Sequence, residues 1–162
     1  MGRSRTSPLS ATLRTSEWNC LPLVFFVIVC DQVSKLLVSH LAVPFTVIPR
    51  VLYLQLGHNS GAAWGMLPGR RILLCALALA VLAGGIIFRS CLQLDQKWNR
   101  VACGLVGGGI AGNLLDRLRL GYVVDFVDLH LPFYRWPTFN IADFALCIGA
   151  FLYFIRPYIE KK

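Results

Sequence analysis

Four apolar runs, each near the length a helix needs to cross a bilayer, divide this sequence into spans and short connections. They are Trp18–Val38, Arg71–Phe88, Val101–Leu118 and Asn140–Ile155, the last being the shortest. A bilayer crossing needs roughly 17–25 residues of helix. The whole chain has 162 residues, 56% of them hydrophobic and only 15% charged. A soluble domain carries nearer a quarter of charged residues, so the balance points to lipid as the solvent. The expectation is an all-α polytopic membrane protein with four transmembrane helices, organised as one domain over 18–156. Basic tails at 1–17 and 157–162 flank it, the first expected to be disordered. Residues 43–56, V-P-F-T-V-I-P-R-V-L-Y-L-Q-L, are β-branched and partly alternating. They predict short strands in a small noncytoplasmic sheet at the membrane surface.

The net charge of +8 raises the question of nucleic acid. Its distribution answers against it. Basic residues gather beside the apolar runs: Arg3, Arg5 and Arg14, then Arg89, Lys97 and Arg100, then Arg156, Lys161 and Lys162. This is the pattern of cytoplasmic ends and of contact with anionic lipid. An even number of spans with these segments inside puts both termini in the cytoplasm. The basic start followed by an apolar stretch also fits a signal peptide, but no small-residue cleavage site interrupts it. The opening M-G-R-S-R-T fits a loose myristoylation pattern, from which a protein with four spans gains little. Six scattered cysteines, most of them inside apolar runs, read as small hydrophobes and predict neither disulfides nor a metal site.

Against this apolar background the acids stand out. The chain has eight, and five fall in or beside polar motifs. An ionised carboxylate at membrane depth costs several kcal/mol or more unless paired or hydrated. In D-Q-V-S-K, Asp31 and Lys35 lie four apart and face each other on one helix turn, either as a structural ion pair or as part of a site. In H-N-S-G-A-A-W-G, Asn59 offers a donor and an acceptor beside Gly61, Ala62 and Ala63. That suits an extended peptide with small side chains, or an ordinary loop. His58 has no partner at metal-ligand spacing. In G-L-V-G-G-G-I-A-G-N-L-L-D-R, Gly104, Gly108 and Gly112 form a packing stripe. It leads into Asn113, Asp116 and Arg117. Finally Asp125 sits in V-V-D-F-V-D, and Asp143 in F-N-I-A-D, three residues after Asn140. Separately, Asp143 fits a helix cap and Asp125 and Asp128 fit a solvated loop. Together, two carboxylates able to share a proton form an acid/base device. No G-x-S-x-G and no G-x-x-x-x-G-K-[ST] is present, so serine hydrolase and NTPase chemistry have no support.

Taken in order, D-Q-V-S-K, N-S-G-A-A-W-G, G-N-L-L-D-R-L-R-L-G-Y-V-V-D-F and F-N-I-A-D closely resemble the motif series of the lipoprotein signal peptidases, or signal peptidase II. The resemblance covers about residues 18–156. It implies a four-helix aspartic protease of the bacterial cytoplasmic (inner) membrane. Such an enzyme removes the signal peptide of a prolipoprotein, cutting before a diacylglyceryl-modified cysteine. It implies Asp125 and Asp143 as the catalytic pair. Asp31, Lys35, Asn59, Gly61, Asn113, Asp116, Arg117 and Asn140 fall at the family's supporting or substrate-binding positions. It implies no metal or organic cofactor. The partners it implies are diacylglyceryl-modified prolipoproteins and the lipid bilayer, with the chain acting as a monomer. Trp64 departs from the family's usual Phe. Two readings from other classes stand beside it: a small transporter or ion-binding membrane protein using intramembrane carboxylates, and a lipid-modifying enzyme using acids to hold Mg²⁺.

Overall fold

The computed structural model describes residues 20–41 and 44–159; the expected tail at 1–17 lies outside them, as do residues 160–162. The order of elements is α1 (Leu21–Ser39), β1 (Phe45–Ile48), β2 (Leu52–Asn59), a 3-10 turn (Ala63–Gly65), α2 (Arg71–Ile87), a second 3-10 turn (Arg89–Leu92), α3 (Lys97–Arg119), β3 (Val123–Leu131), β4 (Tyr134–Arg135) and α4 (Ile141–Ile159). The four expected helices are present, shifted at their ends. α3 begins four residues earlier than hydropathy suggests, because Lys97, Trp98, Asn99 and Arg100 form its first turn. α4 continues past Ile155 to Ile159.

Among the described residues, α1 is long and apolar enough to cross a membrane, and α2 is equally apolar but two residues shorter, at 17 residues. Polar residues within α3 and α4 lower their hydropathy. The distribution of burial is nevertheless inverted relative to a water-soluble protein. Phe25, Phe26, Leu36, Ile72, Ile87 and Phe154 point outward and are exposed. Asp31, Lys35, Asn99, Asn113, Asp116 and Asn140 are buried. An apolar exterior around a polar centre is the arrangement a lipid solvent favours.

The glycine stripe explains how the helices come close enough to bury that centre. α3 packs chiefly on α4 and α1. A Cβ added at Gly108 would sit 2.6 Å from the Cβ of Val27 and 3.0 Å from the carbonyl oxygen of Val24 on α1. One added at Gly112 would meet Asp31 Oδ2 at 2.7 Å. On the neighbouring face, a Cβ at Gly109 would collide with the carbonyl oxygen of Ala142 on α4. Small residues at such crossings let backbones approach and gain dispersion contact where lipid offers no hydrophobic drive. Gly121, at φ +90°, then turns the chain out of α3 and into β3.

The sheet is larger than residues 43–56 alone predict. Its four strands run in the order β1-β2-β3-β4, all neighbours antiparallel. β3 is its central and most buried strand, with Val123, Val124, Asp125, Phe126 and Asp128 all inside. The solvated-loop alternative for Asp125 and Asp128 is thereby overturned. The β-branched run V-V-D-F-V-D-L-H-L carried the strand signal, and its two aspartates masked it. β3 pairs with β2 through Gly57 opposite Asp125 and Asn59 opposite Val123. On its other side it bridges to Phe139, the residue before Asn140. The strand bearing Asp125 is thus bonded to the segment that starts α4.

Packing along the stripe predicts an asymmetry between glycines. Gly108→Ala should cost about 1–3 kcal/mol through overpacking. Gly84→Ala, whose Cβ would meet open space, should be neutral or gain up to ~1 kcal/mol from helix propensity. Denaturant melting of the detergent-solubilised protein measures both. Equal stability of the two variants would show that α1 and α3 are not in contact along the stripe.

Candidate active site

The two aspartates come from unlike elements and meet through two asparagines. Asp125, in β3, is 2% exposed. Its Oδ1 accepts a hydrogen bond from Asn140 Nδ2 at 2.7 Å, and its Oδ2 accepts one from Asn59 Nδ2 at 3.0 Å. Asp143 lies in the first turn of α4 and is half-buried. Its Oδ1 accepts from Asn113 Nδ2 at 2.8 Å. Its Oδ2 accepts from the backbone N–H of Asn140 at 3.3 Å, while its own N–H donates to Asn140 Oδ1 at 2.9 Å. That reciprocal pair is a capping box with Asp in the acidic place. The capping reading of Asp143 is therefore correct, and it leaves Asp143 Oδ1 free for the asparagine network.

Asn140 is the junction. It is completely buried, and its Nδ2 also lies 3.1 Å from Asn113 Oδ1 and 3.3 Å from the carbonyl oxygen of Val124. Asn113 Oδ1 in turn accepts from Lys35 Nζ at 3.3 Å. Asn113 and Asn140 thus join the two carboxylates without placing a cation on either.

A buried ionic cluster stands behind this network. Lys35 Nζ lies 2.7 Å from Asp31 Oδ2 and 2.8 Å from Asp116 Oδ2. The expected i, i+4 pair is present, with Asp116 as a third member. Asp31 Oδ1 accepts the backbone N–H of Ala142 at 3.0 Å, and Asp116 Oδ2 accepts that of Val124 at 3.1 Å. Gln32, which the sequence reading passed over, donates to Asp116 Oδ1 at 2.9 Å and Asp31 Oδ2 at 3.1 Å. It stands beside Asp31 rather than four residues from it, so a search for facing pairs misses it. An amide inside an apolar helix was the available signal.

Arg117 and Gly61 have a shared duty that spacing did not suggest. Arg117 Nη2 donates to the carbonyl oxygen of Gly61 at 2.8 Å, and Gly61 N–H donates to Asn59 Oδ1 at 2.9 Å. A Cβ at Gly61 would lie 2.5 Å from the carbonyl oxygen of Met66. The space beside Gly61 is filled by its own loop, so its small size serves loop closure rather than room for a ligand. The loop carries Trp64, exposed and at φ 54°, beside a cavity of about 310 Å³. Asn59, Asp125, Pro137 and Thr138 share that lining. A larger apolar groove of about 690 Å³ between the opposite ends of the helices, lined by Val81, Gly85, Cys103 and Phe154, touches neither aspartate.

Burial pushes Asp125 up to about 6, the Asp143 carboxylate adds to the rise, and the amides of Asn59 and Asn140 partly offset it. Asp128, three residues along β3, goes the other way. The two-toothed bond from Arg135, at 2.7 and 3.0 Å, holds it below the usual carboxylate range, helped by His130. The contrast separates a structural acid from one suited to proton transfer. The donor set also bears on metal binding. Asp31 and Asp116 already share the Lys35 ammonium, and amide N–H groups point at Asp125 and Asp143. Such donors oppose a cation in the same place.

Comparison with known proteins places this arrangement. The sequence profile described as signal peptidase (SPase) II matches residues 23–159. A lipoprotein signal peptidase of Anoxybacillus flavithermus is 41% identical over 143 residues, covering 86% of this chain and 85% of that protein. One of Bacillus velezensis is 38% identical over 137 residues, covering 83% and 90%. Two solved structures of bacterial membrane enzymes, determined by the in meso method at 2.3 and 1.9 Å, are also similar. Their TM-scores are 0.78 and 0.75 at 33% and 34% identity. The first covers 88% of each chain; the second covers 85% of this chain and 91% of its own.

The site predicts a titration. As pH rises through about 6, Asp125 loses its proton. Because the folded value lies above the ordinary 3.8, the protonated form favours the fold, and this contribution is lost as pH rises from there through about 6. Asp143→Asn removes the neighbouring charge and should lower the midpoint, which stays above 3.8 because burial is the larger cause. The carboxylic C=O stretch in infrared difference spectra reads both. An unchanged midpoint in the variant would show that the two acids are not electrostatically coupled.

Proposed function

The chain belongs to the signal peptidase II family, and from that premise we propose that Asp125 and Asp143 are the catalytic pair of an intramembrane aspartic endopeptidase. It is a bacterial membrane protein that removes signal peptides from prolipoproteins. The scissile bond precedes a diacylglyceryl-modified cysteine. The single observation that carries the catalytic reading is the pair itself: two carboxylates from a strand and a helix, joined through Asn140 and Asn113, with Asp125 lining an open cavity. Family membership leaves the transporter reading without support.

The chemistry follows from one shared proton. Asp143, ionised, takes a proton from water as the water oxygen attacks the scissile carbonyl carbon. Asp125, the acid held near 6, gives its proton to the carbonyl oxygen. The resulting gem-diol collapses: the C–N bond breaks, Asp143 passes its proton to the leaving nitrogen, and Asp125 recovers a proton from a diol hydroxyl. The pair ends as it began. Asn59 and Asn140 hold Asp125 in place through the cycle, and no metal or organic cofactor takes part.

The four helices cross the bacterial cytoplasmic membrane, both termini are cytoplasmic, and the sheet lies at the outer surface. The exposed apolar faces of α1, α2 and α4 support this placement, as does the basic bias of the 89–100 connection. The substrate's acyl chains stay in lipid while its backbone enters the cavity by Trp64. The lipid then serves as a depth gauge, since each buried CH₂ contributes about 0.8 kcal/mol.

Two expectations follow. Asp125→Asn and Asp143→Asn should each abolish cleavage, and the double variant should be no worse than either, because residues acting as a unit are not additive. Substantial turnover by either folded single variant would sink the mechanism. Purified enzyme given lipidated and unlipidated forms of one precursor should cleave the unlipidated form very poorly even at high concentration. Equal rates would mean that the lipid is not read.

A further inference from the structure

Two hydrogen bonds engage the chain directly beside the catalytic aspartates. Asp31 Oδ1 holds the backbone N–H of Ala142, the residue before Asp143. Asp116 Oδ2 holds the backbone N–H of Val124, the residue before Asp125. Lys35 Nζ lies within 2.8 Å of both Asp31 and Asp116. One ammonium group therefore draws together two carboxylates, each of which grips the neighbour of a catalytic residue.

Charge neutralisation does not account for this arrangement. A single aspartate would neutralise Lys35. The second leaves one net negative charge on a cluster whose members are at most 5% exposed, and burial of unbalanced charge is costly. The extra carboxylate is offset by what it binds: the Val124 N–H and the Gln32 amide. Gln32 also reaches Asp31, making a second bridge between the same two acids. Lys35 and Gln32 both belong to α1, which supplies neither catalytic residue.

We propose that Lys35 is a positioning residue for the aspartate pair. By gripping Asp31 and Asp116 it fixes the separation between the start of α4 and strand β3, and hence between Asp143 and Asp125. It works through other groups: its third contact is with Asn113 Oδ1 at 3.3 Å, not with either catalytic carboxylate. The inference rests on the reading of Asp125 and Asp143 as the catalytic pair.

Lys35→Arg tests it, because charge is kept while the reach and shape of the clamp change. With a lipidated precursor and rates expressed per titrated active site, kcat should fall about 10- to 100-fold, the scale on which a misplacement near 1 Å is felt. KM should change less than about threefold, because the cavity lining is not touched. The pH at which activity declines should stay where it is, since the cluster's charge is unaltered. A Lys35→Arg enzyme with wild-type kcat would overturn the proposal, leaving Lys35 as charge neutralisation only. So would a loss confined to KM.

If arginine does not fit and the variant fails to fold, the triple variant Asp31→Asn, Lys35→Met, Asp116→Asn decides. Its asparagine oxygens still accept from Ala142 and Val124, and no buried charge is left unpaired. Expected is a folded protein with near-normal KM and kcat lowered about 100-fold. Wild-type turnover would overturn the proposal. Failure of this variant to fold would overturn it too, since the cluster would then be needed for the fold itself. Loss of the underlying catalytic reading is distinguishable: the unaltered chain would itself fail to cleave the lipidated precursor.

Discussion

Carboxylates held out of water with every oxygen matched to an N–H donor are the constraint around which this structure is arranged. Asp31, Asp116 and Asp125 are each at most 2% exposed. An unpaired carboxylate in such a place would neutralise itself or unfold its surroundings. The donors that prevent this come from α1, β2, β3 and the start of α4. Glycines on α3 let those elements come within bonding distance: at Gly112 a single added carbon would strike Asp31. Packing and polarity are therefore one problem here. The small-residue stripe serves the carboxylates as much as the helices.

The helices were legible in the sequence because apolar runs and helical periodicity survive isolated charges. Their ends were less so. Lys97 to Arg100 reads as a cytoplasmic connection, yet Asn99 is 1% exposed and Arg156 donates to it at 2.8 Å, so a first turn of α3 is built from polar residues that pair with α4. The candidate-site residues are the ones that resemblance and the rarity of acids single out. Their partners were only partly so. Asp31 and Lys35 announce themselves by spacing. Asp116 joins them from 81 residues away in the chain, and no local pattern carries that information. Strand β3 was missed for a similar reason: two aspartates in nine residues look solvated until an arginine and an asparagine are found to satisfy them.

Placing one aspartate on a strand and the other on a helix has a mechanical consequence. β3 is bonded on one edge to β2 and on the other to Phe139, and Phe139 leads directly into the cap of α4. Asp125 and Asp143 therefore belong to one hydrogen-bonded frame even though 18 residues separate them. Asn140 closes that frame. Its backbone and side chain cap α4, and the same side chain binds Asp125. Rigid elements hold reacting groups more accurately than loops do. The Gly61–Trp64 turn is tethered at Gly61 by Arg117 and Asn59, while Trp64 stays exposed beside the cavity.

The choice of asparagine around the pair, with lysine one step removed, is itself a chemical argument. A cation in direct contact with either carboxylate would favour its ionised form, as Arg135 does for Asp128. In the proposed mechanism, a pair so treated would lose the proton it shares. Amide donors orient the oxygens without contributing a full charge. Lys35 touches the network only at Asn113 Oδ1, so its field reaches Asp125 weakened, as the smallest of the named influences on that group. Burial and the second aspartate prevail, and Asp125 stays near 6. The same lysine is thus strong where it grips Asp31 and Asp116 and weak at Asp125. That difference depends on one intervening amide.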